Sequence, residues 1–104
     1  MIILYILEQC PYCANSVALL KKNNIKHKTI IVENTTEEKN FYKKQNGMDT
    51  FPQIFIQIDK DNFMKIGGND NLIEILENCN KIKESNVSID SIYYMYQKLY
   101  SKKI

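Results

Sequence analysis

The 104 residues leave room for one compact domain with a single core and none for a second catalytic domain. Hydrophobic residues make up 44% and charged residues 25%, ordinary globular usage that excludes a disordered chain. The formal charge of +2 comes from 14 lysines scattered among 12 acids, with no arginine and no basic block, so neither nucleic acid nor a membrane surface is indicated as a partner.

Residues 1 to 7, Met1-Ile2-Ile3-Leu4-Tyr5-Ile6-Leu7, read as a strand. They lack a basic n-region and a small-residue cleavage site, and Glu8 follows, so they do not read as a signal peptide. Cys13, Val17 and Leu20 fall at helical spacing, Pro11 suits a first helical position, and Asn23-Asn24 supplies a stop, which predicts a helix from Pro11 to Lys22. A second β-branched strand follows at 27 to 33. Thr35-Thr36-Glu37-Glu38 opens a helix with acids in its first turn, Phe41 and Tyr42 give it an apolar side, and Gly47 ends it. The runs 53 to 58 and 63 to 66, separated by Asp59-Lys60-Asp61-Asn62, read as a β-hairpin, which Gly67-Gly68 breaks.

A third helix carries Leu72, Ile73, Ile75, Leu76 and Cys79 on its apolar stripe, where Cys79 packs as a small hydrophobe. Residues 83 to 88 read as a polar connector. Ser88 then caps a last helix bearing Ile89, Ile92, Tyr93, Tyr96, Leu99 and Tyr100. The order is βαβαββα plus one C-terminal helix, with a domain at 1–84 and an amphipathic extension at 85–104 packed upon it.

No stretch is long and apolar enough to span a bilayer, and with no export signal and only three cysteines the expected setting is a reducing compartment, the cytoplasm. Abundant Lys, Asn and Ile suggest an AT-rich genome of the kind found in parasites and large DNA viruses, for which the location would be a host cytoplasm or a virion. A close cysteine pair in such a compartment is more often catalytic or metal-binding than structural.

Cys10, at the N-cap, faces unpaired backbone N–H groups and the positive end of the helix dipole, which favour a thiolate. It reads as the nucleophile, and Cys13, one turn deeper on the same side, as the resolving thiol. The competing readings are a zinc site, for which His27 and Cys79 offer no second ligand pair, and a structural disulfide, which would close too short a loop to constrain the chain.

Three motifs, Cys10-Pro11-Tyr12-Cys13 after a strand, Thr50-Phe51-Pro52-Gln53 opening a hairpin, and Gly67-Gly68-Asn69-Asp70-Asn71-Leu72 opening a helix, stand in the order and spacing of a dithiol glutaredoxin. Over residues 1 to about 80 the chain resembles that family. The resemblance implies the α/β thioredoxin fold, with a four-stranded mixed sheet flanked by helices, and a monomer acting in electron transport and cell redox homeostasis. It implies glutathione as reductant and co-substrate, no metal, and disulfide-containing or glutathionylated proteins as substrates.

It further implies a cis Pro52, with Thr50 and Phe51 beside the glutathione backbone, and γ-glutamyl contacts from Gly68, Asn69, Asp70 and Asn71. Tyr12 would flank the site and Lys39 meet the glycine carboxylate. The chain departs from the family's pattern at Leu7, where a lysine is frequent, at Asp49, which replaces a basic residue, and at Asn71, which replaces an Asp. Such a protein would reduce protein disulfides and glutathione mixed disulfides through Cys10 and Cys13. The alternatives are a thioredoxin-like reductase, a protein holding a [2Fe–2S] cluster between two chains, and a redox module whose tyrosine-rich tail docks one protein substrate.

Overall fold

The computed structural model describes residues 1–82 and 87–100. Its elements are β1 (Ile2–Leu7), α1 (Pro11–Lys22), β2 (His27–Val32), α2 (Thr36–Asn46), β3 (Gln53–Gln57), β4 (Phe63–Gly67), α3 (Asn69–Ile82) and α4 (Ile89–Tyr100). The strands form one mixed sheet in the order β2-β1-β3-β4, with β1 parallel to β2 and antiparallel to β3, and β3 antiparallel to β4. This is the thioredoxin fold that the motif order implied.

Alternation along the central strands decides which helices cover which face. Ile2 and Leu4 of β1, Ile54 and Ile56 of β3 and Ile66 of β4 point to one side. There they meet Leu20 of α1, Leu72, Ile75, Leu76 and Cys79 of α3, and Ile92 and Met95 of α4 in a single core. Cys79 is buried as a small apolar residue, its thiol 3.6 Å from the Ser91 carbonyl. On the opposite face Tyr5 contacts Tyr42 of α2 and Phe55 of β3, with ring centroids 5.3 Å and 5.9 Å apart.

Several expectations change in detail. The second strand stops at Val32, so Glu33 lies outside it, and β3 stops at Gln57, leaving Ile58 exposed. The hairpin's return strand runs through Gly67, because a register shift between Ile54 and Phe55 lets Gly67 pair with Ile54. The expected apolar side of α2 is only half realised: Phe41 is 55% exposed and no residue of that helix is buried. In the connector read as polar, Val87 is buried in the core, while residues 83–86 lie outside the described residues, as do 101–104 of the tail.

Candidate active site

The turn from β1 into α1 places the cysteines. Gln9 adopts a left-handed conformation with φ 58°, Cys10 is extended at the N-cap, and Pro11 occupies the first helical position, where its missing N–H is no loss. The Cys10 Sγ accepts from the Cys13 backbone N–H at 3.2 Å, so the thiol itself acts as the capping group of α1. Cys13 is 2% exposed and Cys10 is half-buried, and both are unbridged. Burial pushes the Cys13 thiol up to about 12, and the hydrogen bond to Cys10 and the charge there act in the same direction, partly offset by the Leu7 backbone. The two sulfurs are therefore unequal: Cys13 is held as a neutral, buried thiol beneath the more accessible Cys10.

Tyr12, Met48, Thr50, Phe51, Gly68, Asn69, Asp70 and Asn71 line one cleft of about 360 Å³. Seven of these eight are residues singled out by the sequence motifs; Met48 had no signal. The Phe51–Pro52 bond is cis, and the Pro52 carbonyl oxygen lies 3.7 Å from where a Cβ on Gly68 would stand, so the loop and the start of α3 approach closely. Pro52 itself is buried and is not among the cleft's lining residues. Lys39 is half-buried on α2 and is not brought among the cleft's lining residues. Leu7 lines a separate apolar groove of about 670 Å³ with Pro11, Ala14, Val17 and Ala18, on which Cys10 also borders. Asp49 is exposed.

The start of α3 shows why a glycine stands where a capping side chain is usual. Gly68 holds the N-cap position, and its carbonyl accepts from the Leu72 N–H at 3.1 Å. A Ser, Thr or Asp there would turn its own oxygen onto the first-turn N–H groups. Glycine cannot, so the N–H groups of Asn69 and Asp70, which a helix leaves without intrahelical partners, are not blocked by a cap. Only the reverse half of a capping box forms, with the Asn71 Oδ1 accepting from the Gly68 N–H at 3.0 Å. Gly67, with φ 129°, packs so closely on the Asn71 side chain that an added Cβ would collide with it.

Other polar contacts fix the walls and had no signal in the sequence. The Asn69 Oδ1, buried, accepts from the Ser16 hydroxyl at 2.7 Å and from the Asn15 amide at 3.0 Å, tying the first turn of α3 to α1. Gln53, fully buried, accepts from the Asn46 amide at 2.7 Å and donates to the Met48 carbonyl, holding the approach to the cis-proline loop.

A neutral thiol stacked under an accessible one at a helix start, beside a cis-proline loop in a thioredoxin fold, defines a thiol–disulfide oxidoreductase. Comparison with known proteins gives the family. A family model described as Glutaredoxin matches residues 2–60. Glutaredoxin 1 of Rickettsia prowazekii (strain Madrid E) is 46% identical over 76 residues, covering 71% of this chain and 75% of that protein. The solution structure of glutaredoxin from Brucella melitensis, 32% identical, covers 74% of this chain and 78% of that one with a TM-score of 0.58. The buckwheat glutaredoxin-glutathione complex shares the fold, with a TM-score of 0.62 at 17% identity over 93% of this chain and 76% of that one. The chain belongs to the glutaredoxin family. No helix among the described residues is long and apolar enough to cross a membrane.

Proposed function

We propose that this glutaredoxin is a glutathione-dependent reductase of glutathione mixed disulfides and protein disulfides, with Cys10 as nucleophile and Cys13 as resolving thiol. The observation that supports the reading is the cleft that Tyr12, between the two cysteines, shares with the cis-proline loop and the start of α3, whose N-terminal groups are left uncapped by Gly68. Those N–H groups suit the γ-glutamyl carboxylate of glutathione, Thr50 and Phe51 its backbone, and Tyr12 the wall nearest the sulfur. Lys39 has no supporting contact, and the glycine carboxylate is left without an assigned partner.

In the first step the Cys10 thiolate attacks the glutathionyl sulfur of a mixed disulfide. The substrate's S–S bond breaks, its cysteine leaves as a thiolate that takes up a proton, and Cys10 is joined to glutathione. A second glutathione thiolate then attacks that glutathionyl sulfur, releasing glutathione disulfide and the Cys10 thiolate. In the dithiol route Cys10 attacks a protein disulfide and is joined to one substrate cysteine while the other leaves as a thiolate that takes up a proton; Cys13 then loses its proton to solvent and attacks the Cys10 sulfur, forming the Cys10–Cys13 disulfide and expelling the first substrate cysteine. Two further glutathione molecules reduce that disulfide.

The state of Cys13 orders these routes. Once Cys10 is in a mixed disulfide its charge is gone, but burial, the largest cause of the raised Cys13 value, remains. A buried neutral thiol has to lose its proton before it attacks, so this proposal assigns mixed disulfides to attack by glutathione and protein disulfides to Cys13. Mass spectrometry of Cys13→Ser after exposure to glutathione disulfide tests the assignment. One glutathionyl group on Cys10 is expected; no adduct, or an adduct on Cys79, would overturn it.

A further inference from the structure

Ser16 stands one turn beyond Cys13 on the same face of α1 and is fully buried, where water cannot supply its hydroxyl with a partner. A serine inside a helix ordinarily turns its hydroxyl to solvent or to the carbonyl one turn back. Here it donates across to α3, to the Asn69 Oδ1 at 2.7 Å, and the Asn15 amide donates to the same oxygen at 3.0 Å. Asn69 is the first residue of α3, so both bonds end on a residue whose own N–H is among those that Gly68 leaves uncapped.

The two halves of the active site thus meet through one oxygen. Helix α1 carries Cys10 at its N-cap, and α3 brings Asn69 and Asp70 to the cleft. Deeper in the molecule the same helices share the apolar core, through Leu20 on one side and Leu72 and Ile75 on the other. Apolar packing is non-directional and lets one helix slide a little along another, whereas a hydrogen bond weakens steeply as its angle closes. Rotating Asn69 away would leave the Ser16 hydroxyl buried without an acceptor, which costs more than the bond itself contributes. The Asn69 side chain is therefore locked, and with it the first turn of α3.

We propose that Ser16 is a positioning residue for glutathione: through the Asn69 oxygen it holds the start of α3, where the γ-glutamyl carboxylate binds, at a fixed spacing from the Cys10 sulfur. The inference rests on the glutathione reading given above. Its signature is a binding effect confined to substrates that carry a γ-glutamyl group.

The test is steady-state turnover of two mixed disulfides of one peptide, one with glutathione and one with β-mercaptoethanol, which has no γ-glutamyl group, with dithiothreitol as the common reductant. Ser16→Ala introduces the best helix former, so α1 is kept. It should raise KM for the glutathionylated peptide about three- to tenfold with kcat within about twofold, the effect of one net hydrogen bond on binding. KM for the β-mercaptoethanol peptide should stay within about twofold of wild type, on the same scale. Combined with Asn69→Ala, Ser16→Ala should add nothing to the effect of Asn69→Ala alone, because the hydroxyl acts through that side chain. Met95→Ala, a core deletion in α4 away from these bonds, should lower thermal stability and leave both KM values unchanged.

An unchanged KM for the glutathionylated peptide in Ser16→Ala, multiplying effects in the double variant, or an equal rise on both peptides or in Met95→Ala would each overturn the role of Ser16 and leave the glutathione reading standing. A wild type that turns over the two peptides with equal kcat/KM would overturn both.

Discussion

Cys13 is the residue whose chemistry is most open to measurement. Its thiol has an ordinary value of 9.0 and is held near 12 in the folded chain, chiefly by burial. As pH rises past the ordinary value, the unfolded chain releases this proton while the folded chain keeps it. The stability that the neutral thiol contributes is therefore complete below about pH 9 and is lost as pH approaches about 12. The difference in urea midpoint between wild type and Cys13→Ala should shrink from neutral to alkaline pH; a difference that does not change with pH would contradict the burial of a neutral thiol.

At Gly67 a second residue-scale prediction follows from φ 129° and from contact with Asn71. Gly67→Ala should cost at least about 1–3 kcal/mol in chemical denaturation, the range for a non-glycine residue in such a backbone region. A loss below about 0.5 kcal/mol would show that the turn relaxes easily.

Between elements, the positions of the helices were readable and their polar fastenings were not. The cysteine pair, the proline at the first position of α1 and the Gly-Gly start of α3 are local patterns, and each lies where the motifs placed it. Asn69 was expected among the γ-glutamyl contacts at the start of α3, and the motif carried no sign of what its side chain does: its oxygen receives two donors from α1, because Ser16 is buried and requires an acceptor. That pairing joins residues 53 positions apart, which no local pattern reports. Likewise the tyrosines of α4 are alike in sequence but not in place: Tyr93 and Tyr94 are exposed, while Tyr96 and Tyr100 pack on the core.

Two substitutions test the fastening. Asn69→Ala leaves the buried Ser16 hydroxyl without its acceptor and should cost about 1–3 kcal/mol in a denaturant titration. Ile92→Ala removes a fully buried side chain from α4 and should cost about 2–5 kcal/mol, as for other core deletions. A negligible effect of the second would mean that α4 is a detachable appendage, the arrangement required if the tail existed only to dock a partner.

For the whole molecule, the β-branched runs and the two glycine-marked breaks were enough to read βαβαββα, and the added motifs to read the family. What they could not supply was the second use of each site residue: Cys10 as a cap, Asn71 as the acceptor of the Gly68 N–H, and Gly68 as a cap that leaves the helix start open. These depend on which side chains the closed fold brings together, and the decisive contacts join α1 to α3 and α3 to α4. The relatives named above come from Rickettsia, Brucella and buckwheat, which lends no support to a viral source.

The central claim is that Cys10 performs the exchange with glutathione while Cys13 is needed only for the dithiol route. Glutathione-coupled turnover of a small glutathione mixed disulfide by wild type, Cys10→Ser and Cys13→Ser measures it directly. The account predicts that Cys13→Ser retains deglutathionylation and Cys10→Ser has none. Loss of activity in both variants, or in neither, would contradict it.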